Sequence, residues 1–314
     1  MWYKSINQSW VSEFILLGFS SDPTTNRILF IAFLLLYLSS VLGNGLIVTL
    51  ICLDMHLHTS MYFFLCILSL LDMGSVTTTM PQMLVHLLAQ SQTISFAGCW
   101  LQMYMFGALG LTESIFFVVM AYDRYVAICY PPRYAVILSW GLCTWLSAGT
   151  WACGFFFFVI HTFFTMRLPY CGLACMDTNL IAMVDLVISV FMVVAPLSLI
   201  VASYIRIAQA ILKIKSMQPR CKAFSICASH LTVVTFFYAP ATYIYIRPNS
   251  RYSPEQDKQI SLFYNVFTVL LNPVVYILRN KDIKRAFLKV IQEGPGVEGP
   301  VVDCPMLRDS IYNI

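Results

Sequence analysis

The sequence predicts an all-α protein, namely a seven-transmembrane helix bundle with a short amphipathic surface helix after the seventh span. Three observations predict this fold class. The 314 residues are 59% hydrophobic and 11% charged, the mean hydropathy is +0.75, and seven apolar stretches are each long enough to cross a bilayer. A soluble domain carries roughly 25% charged residues, and a soluble chain of this composition would expose large apolar patches and aggregate.

The seven predicted spans follow from the thickness of the membrane. A helix needs about 20 apolar residues to cross a hydrocarbon core roughly 30 Å thick. The apolar runs here are continuous rather than alternating, which favours helices over a β-barrel. The chain therefore divides into an N-terminal segment 1–27, a transmembrane domain 28–278 and a C-terminal helix and tail 279–314. The predicted spans cover residues 28–52, 61–88, 99–128, 139–164, 180–212, 223–246 and 259–278.

The segment "RNKDIKRAFLKVI" after the seventh span predicts an amphipathic helix that lies on the membrane surface. In a helix its apolar side chains share one face, and its Lys and Arg side chains share the other. The apolar residues are Ile283, Phe287, Leu288 and Ile291. The tail after Glu293 is rich in Gly and Pro, a composition that predicts disorder.

The placement of Lys and Arg predicts the orientation of the bundle. With the N-terminus outside the cell, thirteen Lys and Arg residues fall on the inner side and six on the outer side, as the positive-inside rule requires. Asn7-Gln8-Ser9 is a glycosylation sequon and lies on the outer side in this orientation. The first residues lack the continuous apolar core of a cleavable signal peptide, so we expect the first span to direct insertion.

Four polar side chains from four spans are predicted to share one layer in the inner half of the membrane. At 1.5 Å per residue, Glu113 and Asp72 lie about 16 Å from the inner ends of their helices. Asn44 and Asn272 lie about 14 Å and about 10 Å deep. A carboxylate at this depth costs about 3 kcal/mol, so these side chains should face inward and bond one another. Two interpretations are compatible: a structural clasp, or a site for a small cation or proton that biases the helix arrangement. Pro273 permits a kink beside this layer.

Motifs along the whole chain give a more specific identification. They are "EFILLGF" (13–19), "GN" (43–44), "LHTSMYFFL" (57–65), "LSLLD" (68–72), "MAYDRYVAICYPPRY" (120–134), "SY" (203–204), "KAFSICASHLTVV" (222–234) and "LNPVVYILRNKDIKRA" (271–286). With these motifs the chain resembles the rhodopsin-like G-protein-coupled receptors, and within them the odorant (olfactory) receptors of the tetrapod-type class. "MAYDRYVAIC" and "KAFSICASH" are close to diagnostic of odorant receptors, whereas "NPVVY" occurs across the wider superfamily.

The resemblance implies roles for the polar and inner residues. Asp72, Glu113 and Asn272 would form a cation-sensitive core with a sodium ion at Asp72 and Glu113, and no other cofactor is implied. Arg124 would hold the inner mouth shut with Asp123, although a charge pair at a helix end commonly just snorkels to the interface. On activation Arg124 would swing to admit a helix of a G protein. The implied switch residues are Asp123, Arg124, Tyr204, Asn272, Pro273 and Tyr276, and Asn44 joins the polar core.

The resemblance also implies the partners and the location of the protein. A small volatile odorant would bind in the outer half of the bundle, and the inner loops would dock a stimulatory heterotrimeric G protein that raises cyclic AMP. Membrane lipid would surround the bundle, and nucleic acid is not an expected partner. The protein would be a multi-pass plasma-membrane protein of olfactory cilia with an extracellular N-terminus. The implied ligand-contacting residues, mostly apolar or aromatic, are Met103, Phe106, Gly107, Gly110, Leu111, Ile188, Ser189, Met192, Tyr238, Thr242, Tyr245 and Tyr264.

Several features depart from the pattern of the family, including Gln82 where it usually has lysine and Pro132 where it usually has leucine. Ser60 stands where the family usually has proline. After the fourth span "RLPYCG" runs directly into "LACMDT" and omits a longer segment that carries its own cysteine in relatives. That cysteine is the family's partner for the residue matched by Cys99, so a bond from Cys99 to Cys171 or to Cys175 is open, with Cys171 favoured by its place within the loop. The alternative is a Cys171–Cys175 bond that leaves Cys99 free. A lid this short predicts weak odorant binding or poor trafficking.

Other classes of function account for the sequence less well. A secondary transporter could also carry carboxylates within the membrane, but the odd number of spans and the absence of repeated halves argue against it. An enzyme is not expected, because no Ser-His, Gly-x-Ser-x-Gly, paired-aspartate or metal-binding arrangement is recognisable. A poorly functional or inert receptor is the nearer alternative because of the shortened outer connector.

Overall fold

A computed structural model of the chain describes residues 13–15, 22–89, 93–166, 178–246, 270–275 and 281–293. Long helices dominate it and are named here in chain order. They are α1 (Pro23–Leu53), α2 (Ser60–Leu88), α3 (Phe96–Cys129), α4 (Trp140–Met166), α5 (Thr178–Leu212), α6 (Met217–Ile246), α7 (described over residues 270–275) and α8 (Lys281–Glu293). Short helical turns at Met55–Leu57, Pro131–Arg133 and Tyr134–Ile137 connect some of them.

The helices confirm the predicted membrane spans. In the part of the chain that the structure describes, α1 to α6 are long and apolar enough to cross a membrane, and each coincides with a predicted span to within about six residues at either end. The described residues of α7 fall inside the seventh predicted span. The fold is therefore the predicted seven-helix transmembrane bundle.

Local capping explains where two of the helices begin. The Asp22 carboxylate accepts hydrogen bonds from the backbone N–H groups of Thr24 and Thr25 at 3.2 and 2.9 Å, and Pro23 follows at the first helical position, where its missing N–H has no cost. The Thr25 hydroxyl also donates to Asp22, and these bonds together lower the pKa of the Asp22 carboxyl. At α3 the Ser95 hydroxyl accepts from the Gly98 N–H at 3.1 Å. Each cap satisfies N–H groups that the first turn leaves unpaired.

A small antiparallel sheet is an element of secondary structure that the sequence did not predict. Its strands are β1 (Glu13–Ile15) and β2 (Thr93–Ser95), with Phe14 opposite Ile94 at the centre. The strand β2 leads directly into α3, so the pairing joins the segment before α1 to the start of α3. The predicted all-α class is unaffected, and this short pairing of strands is an addition to it. Strands of three residues are too short to produce a periodic signal.

The helix α3 occupies the centre of the bundle and packs against α2, α4, α5 and α6. Aromatic rings connect the layers: Phe64 of α2 meets Phe116 edge to face at 5.8 Å, and Phe117 meets Phe237 of α6 at 5.1 Å. Large apolar side chains also lie exposed on the outer faces, as Leu42 and Trp145 do at 70% exposure each. An apolar exterior around a packed core is the surface that lipid requires.

The amphipathic character predicted for α8 is confirmed. Ile283 and Ala286 are buried against the bundle, whereas Lys284, Arg285 and Lys289 are exposed. The helix is therefore held by an apolar face and presents its basic side chains outward.

Candidate functional site

The four predicted polar residues are all buried in the bundle. Asn44 and Asp72 are fully buried, and Glu113 and Asn272 are 3% and 2% exposed. The Asn272 side-chain amide donates to Asp72 Oδ2 at 2.8 Å, which joins α7 to α2. Glu113 lies within electrostatic range of Asp72. Asn44 donates to the Ser40 carbonyl oxygen at 3.1 Å within α1. A buried polar layer therefore exists, with Asp72 as its centre.

Three oxygen atoms in this layer lack hydrogen-bond donors among the described residues. Asp72 Oδ1, Glu113 Oε1 and Asn272 Oδ1 are buried and accept no hydrogen bond from any described residue. Buried oxygens that lack donors are costly, because the protein does not replace the water that they lose. Carboxylate and amide oxygens are the ligands of hard cations, and protonation of a carboxyl group would relieve the same deficit.

The helices α1 and α7 approach each other closely beside two residues of the layer, Asn44 and Asn272. A Cβ atom added to Gly43 would lie 3.1 Å from Pro273 Cγ and 3.2 Å from its Cβ, so only glycine lets the two helices approach without displacement. Gly43 directly precedes Asn44, and Pro273 directly follows Asn272. The contact therefore positions both amides.

The inner end of α3 carries a second buried cluster. Arg124 Nη1 lies 3.3 Å from Asp123 Oδ2, and their side chains are 8% and 1% exposed. The Tyr134 hydroxyl, from the connector to α4, donates to Asp123 Oδ1 at 2.7 Å. The pair is thus a buried ion pair with a third partner, and the interpretation of a snorkelling surface pair is wrong for it.

Replacement of Tyr134 with Phe is expected to lower the stability of the bundle. The substitution removes a hydrogen bond to a charged acceptor, worth about 1.5–3 kcal/mol. Burial, and then the charge of Asp123, raises the pKa of Tyr134, so the phenol stays protonated and its contribution is lost only as the pH rises above its ordinary value of about 10. The destabilisation should therefore be equal at about pH 6 and about pH 9.

Thermal unfolding of the purified protein in detergent measures this difference. Tyr130→Phe is the matched control, because it removes the same hydroxyl group from an exposed position. Tyr130 is 46% exposed, and its hydroxyl lies 3.5 Å from another hydroxyl, that of Tyr125. Equal unfolding temperatures for the two variants would show that the bond to Asp123 contributes nothing.

The connector before α4 is tied to α2 by Ser60. Its hydroxyl donates to the Leu138 carbonyl oxygen at 3.2 Å, a bond that proline, the residue usual at this position in the resembled family, could not make. The departure at Ser60 therefore adds a contact between α2 and the segment that carries Tyr134.

The predicted switch residue Tyr204 contacts a histidine that sequence reasoning did not select. The Tyr204 hydroxyl lies 2.8 Å from His230 Nδ1, and the two rings stack with centroids 5.8 Å apart. His230 is fully buried and also meets the edge of Phe117 at 5.9 Å. His230 is the last residue of the motif "KAFSICASH". Its place in this motif is the sequence feature that could have identified it as a functional residue. Tyr276 lies outside the described residues.

The described residues among those predicted to contact a ligand lie on α3, α5 and α6. Met103, Phe106, Gly107, Gly110, Met192 and Thr242 are half-buried, and Leu111 and Tyr238 are buried. Of Ile188, Ser189 and Tyr245 the structure describes only that they are helical, and Tyr264 lies outside the described residues. The Tyr238 hydroxyl is engaged with α3, 2.7 Å from Ser114 Oγ and 3.2 Å from the Ser114 carbonyl oxygen.

The predicted disulfide and glycosylation sites concern residues that are mostly not described. Cys99 is half-buried at the start of α3, and its thiol is free in the structure. Cys171, Cys175 and Asn7 lie outside the described residues, so the pairing alternatives and the use of the sequon stay predictions.

Comparison with known proteins gives consistent matches over nearly the whole chain. A family model described as "Olfactory receptor" matches residues 33–294. Olfactory receptor 2A5 of Homo sapiens is 44% identical over 302 residues, which cover 91% of this chain and 97% of the relative. Olfactory receptor-like protein OLF3 of Canis lupus familiaris is 46% identical over 307 residues, 93% and 97% of the two chains. Olfactory receptor 2A7 of Mus musculus is 43% identical over 302 residues, 91% and 97%.

Proposed function

The chain belongs to the olfactory receptor family, and from that premise we propose that it binds small volatile odorants in the outer half of the helix bundle and activates a stimulatory heterotrimeric G protein that raises cyclic AMP. It is a multi-pass membrane protein and not an enzyme. We place it in the plasma membrane, in olfactory cilia, with the N-terminus outside the cell. The observation that carries the proposal is the match of a single receptor family to residues 33–294.

The inner cluster supports the proposed coupling to a G protein. In the structure Arg124 is buried against Asp123, which is also bonded to Tyr134. Release of Arg124 from this pair would free a guanidinium group with five N–H donors at the cytoplasmic end of the bundle. A helix of the partner could accept hydrogen bonds from these donors. Tyr204 and His230 join α5 to α6 beside the same end, so a movement of α6 would have to break or reorient their contact. Both changes accompany opening of the bundle on its inner side.

The proposed cation site is the polar layer around Asp72. Asp72, Glu113 and Asn272 would hold a sodium ion through the three oxygens that lack donors among the described residues. A sodium ion bound there would supply a positive charge that stabilises the two carboxylates in their ionised form. A cation that binds only one arrangement of the helices stabilises that arrangement.

Sodium is expected to stabilise the parent protein and not Asp72→Asn. At about ten times its dissociation constant a ligand of the folded state adds about 1.4 kcal/mol. The measurement is thermal unfolding in detergent, in sodium chloride and in choline chloride at equal ionic strength. Asp54→Asn, in the connector between α1 and α2, is the matched control and should keep the difference. No difference between the two salts in the parent would contradict the cation site and leave the structural clasp.

A panel of volatile odorants on cells that express this chain tests the proposed function. We expect a concentration-dependent rise in cyclic AMP for some members, and none in cells that lack the chain. Uptake of odorant without any G protein would instead favour a transporter.

The shortened connector after α4 favours a second candidate, a receptor that reaches the cell surface poorly or responds weakly. Its residues lie outside the described part of the chain. Surface density equal to that of a relative such as olfactory receptor 2A5, together with a full cyclic AMP response, would exclude this candidate.

A further inference from the structure

The side chain of Phe158 in α4 fills a notch that Gly107 leaves in α3. A Cβ atom added to Gly107 would overlap Cζ, Cε1 and Cε2 of the Phe158 ring. The ring also lies against His161, with centroids 4.9 Å apart. The preceding residues Phe156 and Phe157 are 65% and 51% exposed, whereas Phe158 is half-buried. Phe158 therefore turns toward α3, as does Phe155 one turn earlier, whose ring meets Tyr104 of α3 with centroids 6.0 Å apart.

The notch lies on the face of α3 that points to α6. Gly107 and Ser114 are seven residues apart, which is 20° short of two full turns, so they share one face and differ in height by about 10 Å. Ser114 contacts Tyr238 of α6 at 2.7 Å. Gly107 therefore borders the space between α3 and α6, nearer the end of α3 at which β2 joins it.

Open space adjoins the notch. Gly110 lies one turn further along α3, and a Cβ atom added there would meet no atom of another described element within 4 Å. Gly110 is half-buried. The α3 wall of this space is thus made of two residues without side chains, one covered by the Phe158 ring and the other uncovered.

We propose that Phe158 is a specificity-determining residue of the odorant cavity, because its ring over Gly107 forms the α4 wall and limits the size of the odorant that fits. The inference rests on the proposed function and names a contact residue outside the predicted set. The cavity takes small ligands while the ring is in place. Removal of the ring leaves a space of the shape and polarity of a phenyl group, which an odorant with an added phenyl group can fill.

Four variants test the inference: Phe158→Ala, Gly107→Ala, the double variant, and Phe157→Ala as a control with the same side chain on the exposed face. The probes are straight-chain primary alcohols from butanol to dodecanol and the same alcohols with a terminal phenyl group. Binding is measured as the rise in unfolding temperature of the receptor in detergent, which requires no G protein. Cyclic AMP in cells is measured separately.

Phe158→Ala should improve the affinity for phenyl-bearing alcohols, relative to plain ones, at least about tenfold, since a single methylene in an apolar pocket already changes binding by about that factor. Gly107→Ala should reduce surface density and binding, and the double variant should restore both. Phe157→Ala should match the parent.

The outcomes separate this inference from the proposed function. An unchanged preference in Phe158→Ala beside a responding parent overturns the inference alone, as does failure of the double variant to recover. Binding with the expected shift but no cyclic AMP overturns the proposed signalling alone. No binding by the parent or by any variant overturns both.

Discussion

Arg124→Ala is expected to abolish the cyclic AMP response while odorant binding persists. Arg124 lies at the inner end of α3, where its guanidinium group is buried beside Asp123 at 3.3 Å. In the proposed mechanism this group is released and bonds a helix of the G protein. Loss of one partner from a buried, charged contact at an interface costs about 2–5 kcal/mol, which corresponds to about 30-fold or more in affinity for the G protein.

The measurement compares cyclic AMP, normalised to surface density, with odorant-induced stabilisation in detergent. Normalisation is needed because Asp123 loses its ion-pair partner in the variant, and an unpaired buried charge destabilises the fold. Arg133→Ala, in the exposed connector after α3, is the control and should respond as the parent does. A response of Arg124→Ala equal to the parent's would remove the role assigned to Arg124.

Gly154→Val is expected to prevent folding of the bundle. A Cβ atom at Gly154 of α4 would overlap the Thr112 hydroxyl oxygen and lie 2.9 Å from the Thr112 backbone nitrogen and 3.0 Å from the Ala108 carbonyl oxygen. The Thr112 hydroxyl already donates to that carbonyl at 2.7 Å. Because two of the obstructing atoms belong to the backbone of the central helix, α4 would have to move away, at a cost of about 3 kcal/mol or more.

Gly149→Val is the matched control for this clash. Gly149 lies on the same helix, and a Cβ atom there would meet no atom of another described element within 4 Å. Both variants carry the same change in helix propensity, so their difference isolates the contact with α3. Surface density in cells and unfolding temperature in detergent are the measurements. Equal values for the two variants would show that α3 and α4 do not pack as closely as the structure has them.

Most of the fold was predictable from sequence because the signals of a membrane helix are local. The spans at α1 to α6 follow from uninterrupted apolar runs, and the basic face of α8 follows from helical periodicity. The strands β1 and β2 were missed because three residues carry too short a pattern.

The candidate site was predictable only in part. Asp72 and Glu113 were selected because charged residues within membrane spans are costly and need inward partners, whereas Arg124 was selected through the motif that resembles the receptor family. Tyr134 and His230 were not assigned as partners of Asp123 and Tyr204, since a pairing between residues far apart in the chain depends on how the helices are rotated against one another. Asn44 was expected to bond its neighbours in the layer, and one hydrogen bond of its side chain runs to Ser40 of its own helix at 3.1 Å.

The sequence by itself determined that this chain is a seven-helix membrane protein and, through its motifs, to which receptor family it belongs. Hydrophobicity and periodicity are sums over neighbouring residues and need no knowledge of distant contacts. Only the tertiary structure decided that the Phe158 ring lies over Gly107, that Gly154 lets α4 approach α3, and that Asn272 bonds Asp72. These contacts depend on the rotation and separation of the packed helices. Both quantities are determined jointly by the close packing of many side chains.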